Sequence, residues 1–303
     1  MISVEDLSKD FNGVKALDGV CLEIAAGETF GLIGPNGAGK TTLIKILTGQ
    51  ITPTRGEILL ERKPVNPGDA AYRLKVGLVP QEPAFYGRLT ARENLRLLGL
   101  LYGMRKKDVE ERVGELLSWV GLEEYVDRQV RFYSRGMQQR LSLSMGLVHR
   151  PDLIYLDEPT SGLDPTARSS LWELMARLSE EGRSVFITTH NMDEADHVCD
   201  RLAILVKGVV REEGSPAHIK GLLGADQVEV RLARDVAGKL DEISRGMGLT
   251  WRAEGDRIII SGPELTDKLA EIVIGLGGDV RGLHYREVTL EDAFLRFMRE
   301  VAE

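Results

Sequence analysis

The stretch Leu32-Ile33-Gly34-Pro35-Asn36-Gly37-Ala38-Gly39-Lys40-Thr41-Thr42 constrains this chain more than any other. It satisfies the pattern G-x-x-x-x-G-K-[ST] at each fixed position, with Gly34, Gly39, Lys40 and Thr41. Glu28 to Ile33 reads as a short buried strand, and Lys40 to Gln50 carries Leu43, Ile44, Ile46 and Leu47 at helical spacing. The glycines therefore lie at a strand-to-helix turn. Small residues there let backbone N–H groups wrap around phosphates, and the helix start adds its positive dipole end. In such a loop Lys40 reaches the outer phosphates and the Thr41 hydroxyl sits on Mg²⁺. A nucleoside triphosphate is the expected ligand.

Several function classes are disfavoured by composition. The chain has 303 residues, enough for one large domain or two smaller ones, with a formal net charge of −8. That charge speaks against non-specific binding to nucleic acid or to an acidic lipid surface. No apolar run approaches the ~18 residues that span a bilayer, and Met-Ile-Ser-Val-Glu-Asp does not read as a secretory signal. Cys21 and Cys199 are far apart, with neither metal-ligand spacing nor a disulfide framework.

Taken in order, Ile2 to Ile24 reads as two strands about a turn at Asn12-Gly13, with Phe11 exposed just before the turn. Phe11 is either a stacking platform for a base or an ordinary hairpin aromatic. A strand Lys75 to Val79 runs into Pro80-Gln81-Glu82-Pro83, which leaves Gln81 at a strand end, where α/β sheets hold ligands. Thr90 to Tyr102 and Lys106 to Val120 read as amphipathic helices, the first with a Thr90/Glu93 capping box. Ser134 is a candidate N-cap with Gly136 at the start of the next helix, a second helix terminus suited to an anion.

Leu153-Ile154-Tyr155-Leu156-Asp157-Glu158 is an apolar strand ending in two carboxylates. Asp157 there can hold Mg²⁺ through water, and Glu158 can orient or deprotonate an attacking water. Asp164 and Pro165 read as N-cap and N1 of a further helix. Ser184 to Thr189 is another buried strand, ending at His190, which can carry or donate a proton beside a phosphate. Leu202 to Val206 closes the sheet, with Gly208 to Gly214 as a hairpin or edge.

Glycine and proline around residues 214 to 226 suggest a domain join. The remainder alternates as β-α-β-β-α-β, with a first helix through Val236, Leu240 and Ile243 and a last strand from Val280 to Glu287. That order is the split βαβ pattern of ferredoxin-like domains. A final helix, capped by Thr289 with Asp292, presents Leu290, Phe294, Phe297 and Val301. From Gly221 onward acidic residues exceed basic ones by about five, which disfavours a nucleic-acid role there too.

The series Phe11, Gly34 to Thr41, Gln81, Ser134-Arg135-Gly136-Met137-Gln138, Leu156-Asp157-Glu158, Ser161 to Asp164 and His190 resembles an ATP-binding cassette (ABC) ATPase over roughly residues 1–220. Tyr-Ser-Arg-Gly-Met and the Thr-Leu-Glu-Asp-Ala-Phe-Leu tail resemble the ATPase subunits of bacterial drug-resistance-type exporters. The resemblance implies an α/β phosphate-loop NTPase over 1–220 with an antiparallel β subdomain and a helical subdomain at about 82–150. A small ferredoxin-like α+β domain over 226–303 follows it.

The resemblance also implies roles. Phe11 stacks on adenine. Gly34, Pro35, Asn36, Gly37, Ala38, Gly39, Lys40, Thr41 and Thr42 form the phosphate loop, and Thr41, Gln81 and Asp157 attend Mg²⁺. Glu158 acts on the attacking water, and His190 contacts the γ-phosphate. Ser134 and Gly136 bind the γ-phosphate held by a second copy, and Asp164 communicates across that head-to-tail dimer. In the family signature Leu-Ser-Gly-Gly-Gln, this chain has Tyr133, Arg135 and Met137 in place of leucine, the first glycine and glutamine.

The implied protein is an ATP-hydrolysing subunit that energises export through separately encoded membrane permease subunits. It would be cytoplasmic, peripheral on the inner face of the membrane, and would have no nucleic-acid partner. A soluble ABC machine acting on ribosomes or DNA is the alternative. Only about fifty residues separate Gln81 from Ser134, with no sustained heptads for the long coiled coil of genome-maintenance members.

Overall fold

Alternation and burial together fix the first layer. In the computed structural model, which describes residues 1–222, 227–232, 237–254, 257–262, 265–276, 280–286 and 288–300, β1 (Ile2–Phe11) and β2 (Val14–Ile24) form an antiparallel hairpin. Asn12 and Gly13 both have positive φ at its turn. Apolar Ile2, Val4, Leu7, Leu17, Val20, Leu22 and Ile24 turn inward.

The wholly buried β3 (Thr29–Ile33) leads into α1 (Lys40–Leu47). α1 stops short of the expected Gln50. Gly49 takes φ +70, Gln50 N–H donates to the Lys45 carbonyl and Gly49 N–H to that of Ile46, a Schellman closure that ends the helix. β4 (Arg55–Leu60) pairs with β1, and the short β5 (Lys63–Pro64) with β4, so the antiparallel sheet runs β2-β1-β4-β5. A single turn, α2 (Ala70–Arg73), precedes β6 (Val76–Val79).

Three helices then follow: α3 (Ala91–Leu101), α4 (Lys106–Trp119) and α5 (Arg135–Gly146). The Thr90/Glu93 capping box closes in both directions, and Ser134 caps α5 through the Met137 N–H. β7 (Leu153–Asp157) is buried throughout, and α6 (Pro165–Glu180) starts with Asp164 as cap and proline at its first turn. β8 (Ser184–Thr189), α7 (Met192–Val198) and β9 (Arg201–Val206) complete the core, and β10 (Val209–Gly214) folds back on β9 as an antiparallel edge hairpin.

The six-stranded sheet runs β10-β9-β3-β8-β7-β6, with β9 through β6 parallel. Phe30 and Phe186 stack across neighbouring strands at 6.0 Å, and the fully buried Tyr155 meets Phe186 edge-on at 5.8 Å. The Tyr155 and Tyr72 hydroxyls lie 2.9 Å apart, and Tyr72 donates to the Leu47 carbonyl at 2.8 Å. This polar pair is thus satisfied inside the core. Both cysteines are free thiols, Cys21 exposed and Cys199 buried. No helix among the described residues is long and apolar enough to cross a membrane.

The chain divides into two compact units, Met1–Pro216 and Ala217–Glu303. The second begins in α8 (Pro216–Gly221) and contains β11 (Gln227–Leu232), α9 (Ala237–Met247), β12 (Thr250–Glu254), β13 (Arg257–Ser261), α10 (Leu265–Leu276), β14 (Val280–Arg286) and α11 (Leu290–Glu300). Its sheet order, β12-β13-β11-β14, is antiparallel throughout, which is how a split βαβ module interleaves its strands. Val228, Val230, Leu240, Ile260, Ile272 and Leu276 make a separate core. Val236, Glu287, Val301 and Asp226, where the accessory domain is expected to begin, lie outside the described residues.

Candidate functional site

The parallel strands end on one side of the sheet, and the chemistry-bearing residues follow their ends. After β3 the chain turns through Gly34 to Gly39 into α1. A Cβ on Gly34 would stand 2.3 Å from the Leu205 carbonyl oxygen, and one on Gly39, at φ +111, 2.5 Å from that of Ala16. Only glycine lets this loop lie so close to its neighbours. α1 begins without a side-chain cap and without an acidic residue in its first turn, so its leading N–H groups are not satisfied by the helix itself.

The loop, β6, β7 and β8 open onto one cleft of about 560 Å³. Asn36, Gly37, Gly39, Lys40, Thr41 and Thr42 line one wall; Gln81, Glu158, Ser161 and His190 face them. Lys40 is buried, and its ammonium donates to the Gly34 carbonyl at 2.7 Å and the Pro35 carbonyl at 3.2 Å. Glu158, also buried, lies with Oε1 3.4 Å from the Lys40 Nζ. Its Oε2 accepts from Gln81 Nε2 at 3.3 Å and stands 3.0 Å from His190 Nδ1. The Glu158 backbone is left-handed at φ 46, held there as its N–H donates to the Thr188 carbonyl at 2.9 Å.

Asp157 accepts from the Thr188 hydroxyl at 2.6 Å and from the Thr41 hydroxyl at 3.4 Å. Thr41 and the amide oxygen of Gln81 offer hard oxygen donors at the cleft, and Asp157, buried behind it, reaches it through the Thr41 hydroxyl; such donors are what a Mg²⁺ ion prefers. Ala38 is buried under the loop.

Phe11, Ser134, Gly136 and Asp164 do not line this cleft. Phe11 is 46 % exposed at the tip of the β1–β2 hairpin, with the Lys9 ammonium 5.0 Å from its ring centroid. Ala16, on the same hairpin, does line the cleft. Ser134 is exposed at the start of α5, and Gly136 packs so closely on α6 that a Cβ would meet that of Ala167 at 2.9 Å. Arg135 lies over Gly162, where an added Cβ would stand 2.9 Å from its Cζ. The substituted Tyr133 is buried and donates its hydroxyl to the Tyr125 carbonyl at 2.6 Å, anchoring the segment before α5.

Two contributors escape the motif reading. Thr188 orients both carboxylate residues; two threonines ending an apolar strand were its available signal. Glu194 on α7 is fully buried beside the cleft, and its burial pushes its carboxyl above the usual carboxylate range. Its spacing from Asn191 signals only a helix cap.

Known proteins resemble both the sequence and this arrangement. The family model described as ABC transporter matches residues 17–161. The Nod factor export ATP-binding protein I of Bradyrhizobium diazoefficiens is 38 % identical over 97 % of this chain and 95 % of its own. The daunorubicin resistance ATP-binding protein DrrA3 of Streptomyces coeruleorubidus is 36 % identical over 97 % of this chain and 92 % of its own. Among solved structures, cbiO1 from Clostridium perfringens, part of an ABC transporter complex, superposes with TM-score 0.67 at 29 % identity, covering 72 % of this chain and 89 % of that one. The dimeric ATP-binding cassette MJ0796 bound to ADP and Pi superposes with TM-score 0.65 at 28 % identity, covering 71 % and 98 %. Phosphate loop, converging strand ends and near full-length relatives agree, and the chain belongs to the ABC transporter family as one of its ATP-binding subunits.

Proposed function

We propose that this subunit hydrolyses ATP to drive export through separately encoded membrane permeases, with Glu158 as the group that acts on the attacking water. The observation that carries this reading is the meeting of Lys40, Gln81, Glu158 and His190 at one cleft. Backbone N–H groups from Asn36 to Thr42 take the phosphates, and Lys40 exchanges its carbonyl contacts for β- and γ-phosphate oxygens. Thr41, Gln81 and, through water, Asp157 hold Mg²⁺, which when bound offsets phosphate charge. Glu158 accepts a proton from water as the water oxygen attacks the γ-phosphorus, the bond to the β,γ-bridging oxygen breaks and ADP leaves, while His190 supports the carboxylate and the γ-phosphoryl group in transfer. Phe11, on the hairpin that also supplies Ala16 to the cleft, stacks on adenine.

The site is completed by a second copy. Ser134 and Gly136, at a helix start away from their own chain's cleft, meet the γ-phosphate of the partner, and Asp164 links the two halves. ATP closes this head-to-tail dimer, and hydrolysis with product release reopens it. The permease docks on the segment between Gln81 and Ser134, where Tyr86, Leu100 and Leu101 are exposed. Beside it lies a recess of about 440 Å³ lined by Arg73, Val76, Leu78 and Tyr102. In this reading the subunit works on the cytoplasmic face of the membrane and has no nucleic-acid partner.

The test is phosphate release by wild type beside Glu158→Gln, with size exclusion under ATP and Mg²⁺ and co-purification with a co-expressed permease. Hydrolysis that vanishes in the variant, an ATP-stabilised dimer and a stable permease complex are expected. Undiminished hydrolysis by Glu158→Gln would overturn the assignment of the catalytic carboxylate. A chain that binds ATP yet neither pairs nor joins a permease would overturn the transport reading.

A further inference from the structure

Behind the cleft lies a second, smaller recess of about 90 Å³, to which Glu158, His190, Ser161, Arg168, Asn191 and Glu194 all contribute. Glu194 is the unusual member. Its side chain is fully buried: Oε1 accepts from Trp172 Nε1 at 3.2 Å and the Thr160 and Thr189 hydroxyls also bear on the carboxylate, while Oε2 is left without a hydrogen bond of good geometry. The Nε of Arg168 is likewise buried without a partner. A carboxylate and a guanidinium thus border the same recess, each with an unsatisfied polar atom.

Nothing in the helix start requires this. Asn191 caps α7 and accepts from the Glu194 N–H at 3.2 Å, so the spacing is that of a capping box. In α3 the equivalent Glu93 closes its box, accepting from the Thr90 N–H at 2.8 Å. In α7 the Asn191 N–H instead donates to the Thr189 hydroxyl at 2.9 Å, which leaves the Glu194 carboxylate to turn inward. Taking a carboxylate out of water is costly. The inward turn therefore forgoes a favourable cap for an unfavourable burial.

What it gains is a tie between two turns. α7 begins directly after His190, and α6, which carries Arg168 and Trp172, begins directly after the Ser161–Asp164 turn. Arg168 and Trp172 are four residues apart and share one helix face, so both reach toward α7. A water needs on the order of 10–15 Å³ of accessible space and two to four polar partners; the recess offers both.

We propose that Glu194 is a positioning residue for hydrolysis. It holds the His190 turn and the Ser161–Asp164 turn in one relation, directly through Trp172 and the Thr160 and Thr189 hydroxyls and through water bound between its Oε2 and Arg168. The role rests on the reading of Glu158 and His190 as the hydrolytic pair. Glu194 touches no nucleotide, so its loss acts on turnover and spares binding.

Steady-state hydrolysis and ATP affinity of the full chain are compared for wild type, Glu194→Gln, Glu194→Ala, Trp172→Phe and Glu158→Gln, with thermal unfolding as a folding control. Glu194→Ala lowers kcat at least tenfold and leaves ATP affinity within twofold. Glu194→Gln keeps an acceptor for Trp172 and a polar group for water, and retains kcat within threefold. Trp172→Phe keeps the ring and removes the donor, and lowers kcat severalfold. If Glu194→Ala does not fold, the contrast between Glu194→Gln and Trp172→Phe decides. Wild-type kcat in both Glu194→Ala and Trp172→Phe overturns the proposal, as does a loss in Glu194→Gln equal to that in Glu194→Ala. Full hydrolysis by Glu158→Gln would instead overturn the underlying reading of the site.

Discussion

The Lys40 ammonium lies 3.4 Å from Glu158 Oε1, with both side chains about nine-tenths buried. The cation of the phosphate loop and the carboxylate proposed to act on water therefore neutralise each other, and in the proposed site phosphate oxygens compete with Glu158 for the same ammonium. On that proposal, arrival of the nucleotide frees the carboxylate to act on water. Lys40→Ala should reduce ATP affinity at least tenfold and hydrolysis by about 10²-fold or more, measured by equilibrium binding and phosphate release. Glu158→Gln should keep ATP binding while kcat falls by about 10²–10⁴-fold, the usual scale for loss of a general base. Equal loss of binding in the two variants would contradict this division of labour.

Gly39→Ala tests the loop geometry. The φ of +111 and the 2.5 Å approach to the Ala16 carbonyl leave no room for a methyl group. Strain at such a position costs about 1–3 kcal/mol. The expected outcome is a lower urea midpoint together with loss of ATP-induced stabilisation. A variant that retained both would show that the loop adapts.

Ser134→Ala separates the two proposed halves of the composite site. Loss of the cap to the Met137 N–H should cost about 1 kcal/mol, seen as a small drop in thermal midpoint. Monomer affinity for ATP should be unchanged, because Ser134 does not line its own cleft. ATP-dependent pairing and hydrolysis should both fall. Reduced ATP affinity in the monomer would place Ser134 in the wrong half.

The buried tyrosine pair predicts alkaline sensitivity. Burial pushes the Tyr72 hydroxyl up to about 12 and that of Tyr155 well above its ordinary value. Below pH ~10 the tyrosines are neutral in both folded and unfolded chains. Above it the unfolded chain loses protons that the folded chain keeps, so stability falls as pH rises towards the folded value. Tyr72 alone accounts for roughly 2 kcal/mol between pH 10 and 12. Urea midpoints at pH 8, 10 and 11 should show the decline, shallower in Tyr72→Phe.

Local chemistry made much of this legible. The phosphate loop, the Thr90/Glu93 box and the Asp164-Pro165 start are each written within a few consecutive residues, and a short-range code is readable without the fold. The order of elements in the second unit was legible for the same reason. The meeting of Gln81, Glu158 and His190 was not readable from spacing, since each is an ordinary residue at a strand end until β6, β7 and β8 are placed side by side. It entered only through resemblance to a family. The inward turn of Glu194 had no signal, because a capping glutamate and a buried one share the same spacing. The place of Arg135 over Gly162 likewise depends on how α5 packs against the turn before α6.

The helices α3, α5, α6 and α7 each use a side-chain oxygen, from Thr90, Ser134, Asp164 and Asn191, to satisfy their first N–H groups. α1 and α4 use none, and of the two it is α1 that opens onto the cleft. Where phosphate oxygens take the leading N–H groups of α1, part of the protein's stability is held by its ligand. By mass action, a free nucleotide concentration about a hundredfold above Kd adds about 2.7 kcal/mol. The durability of the subunit is thereby tied to the nucleotide level of its surroundings.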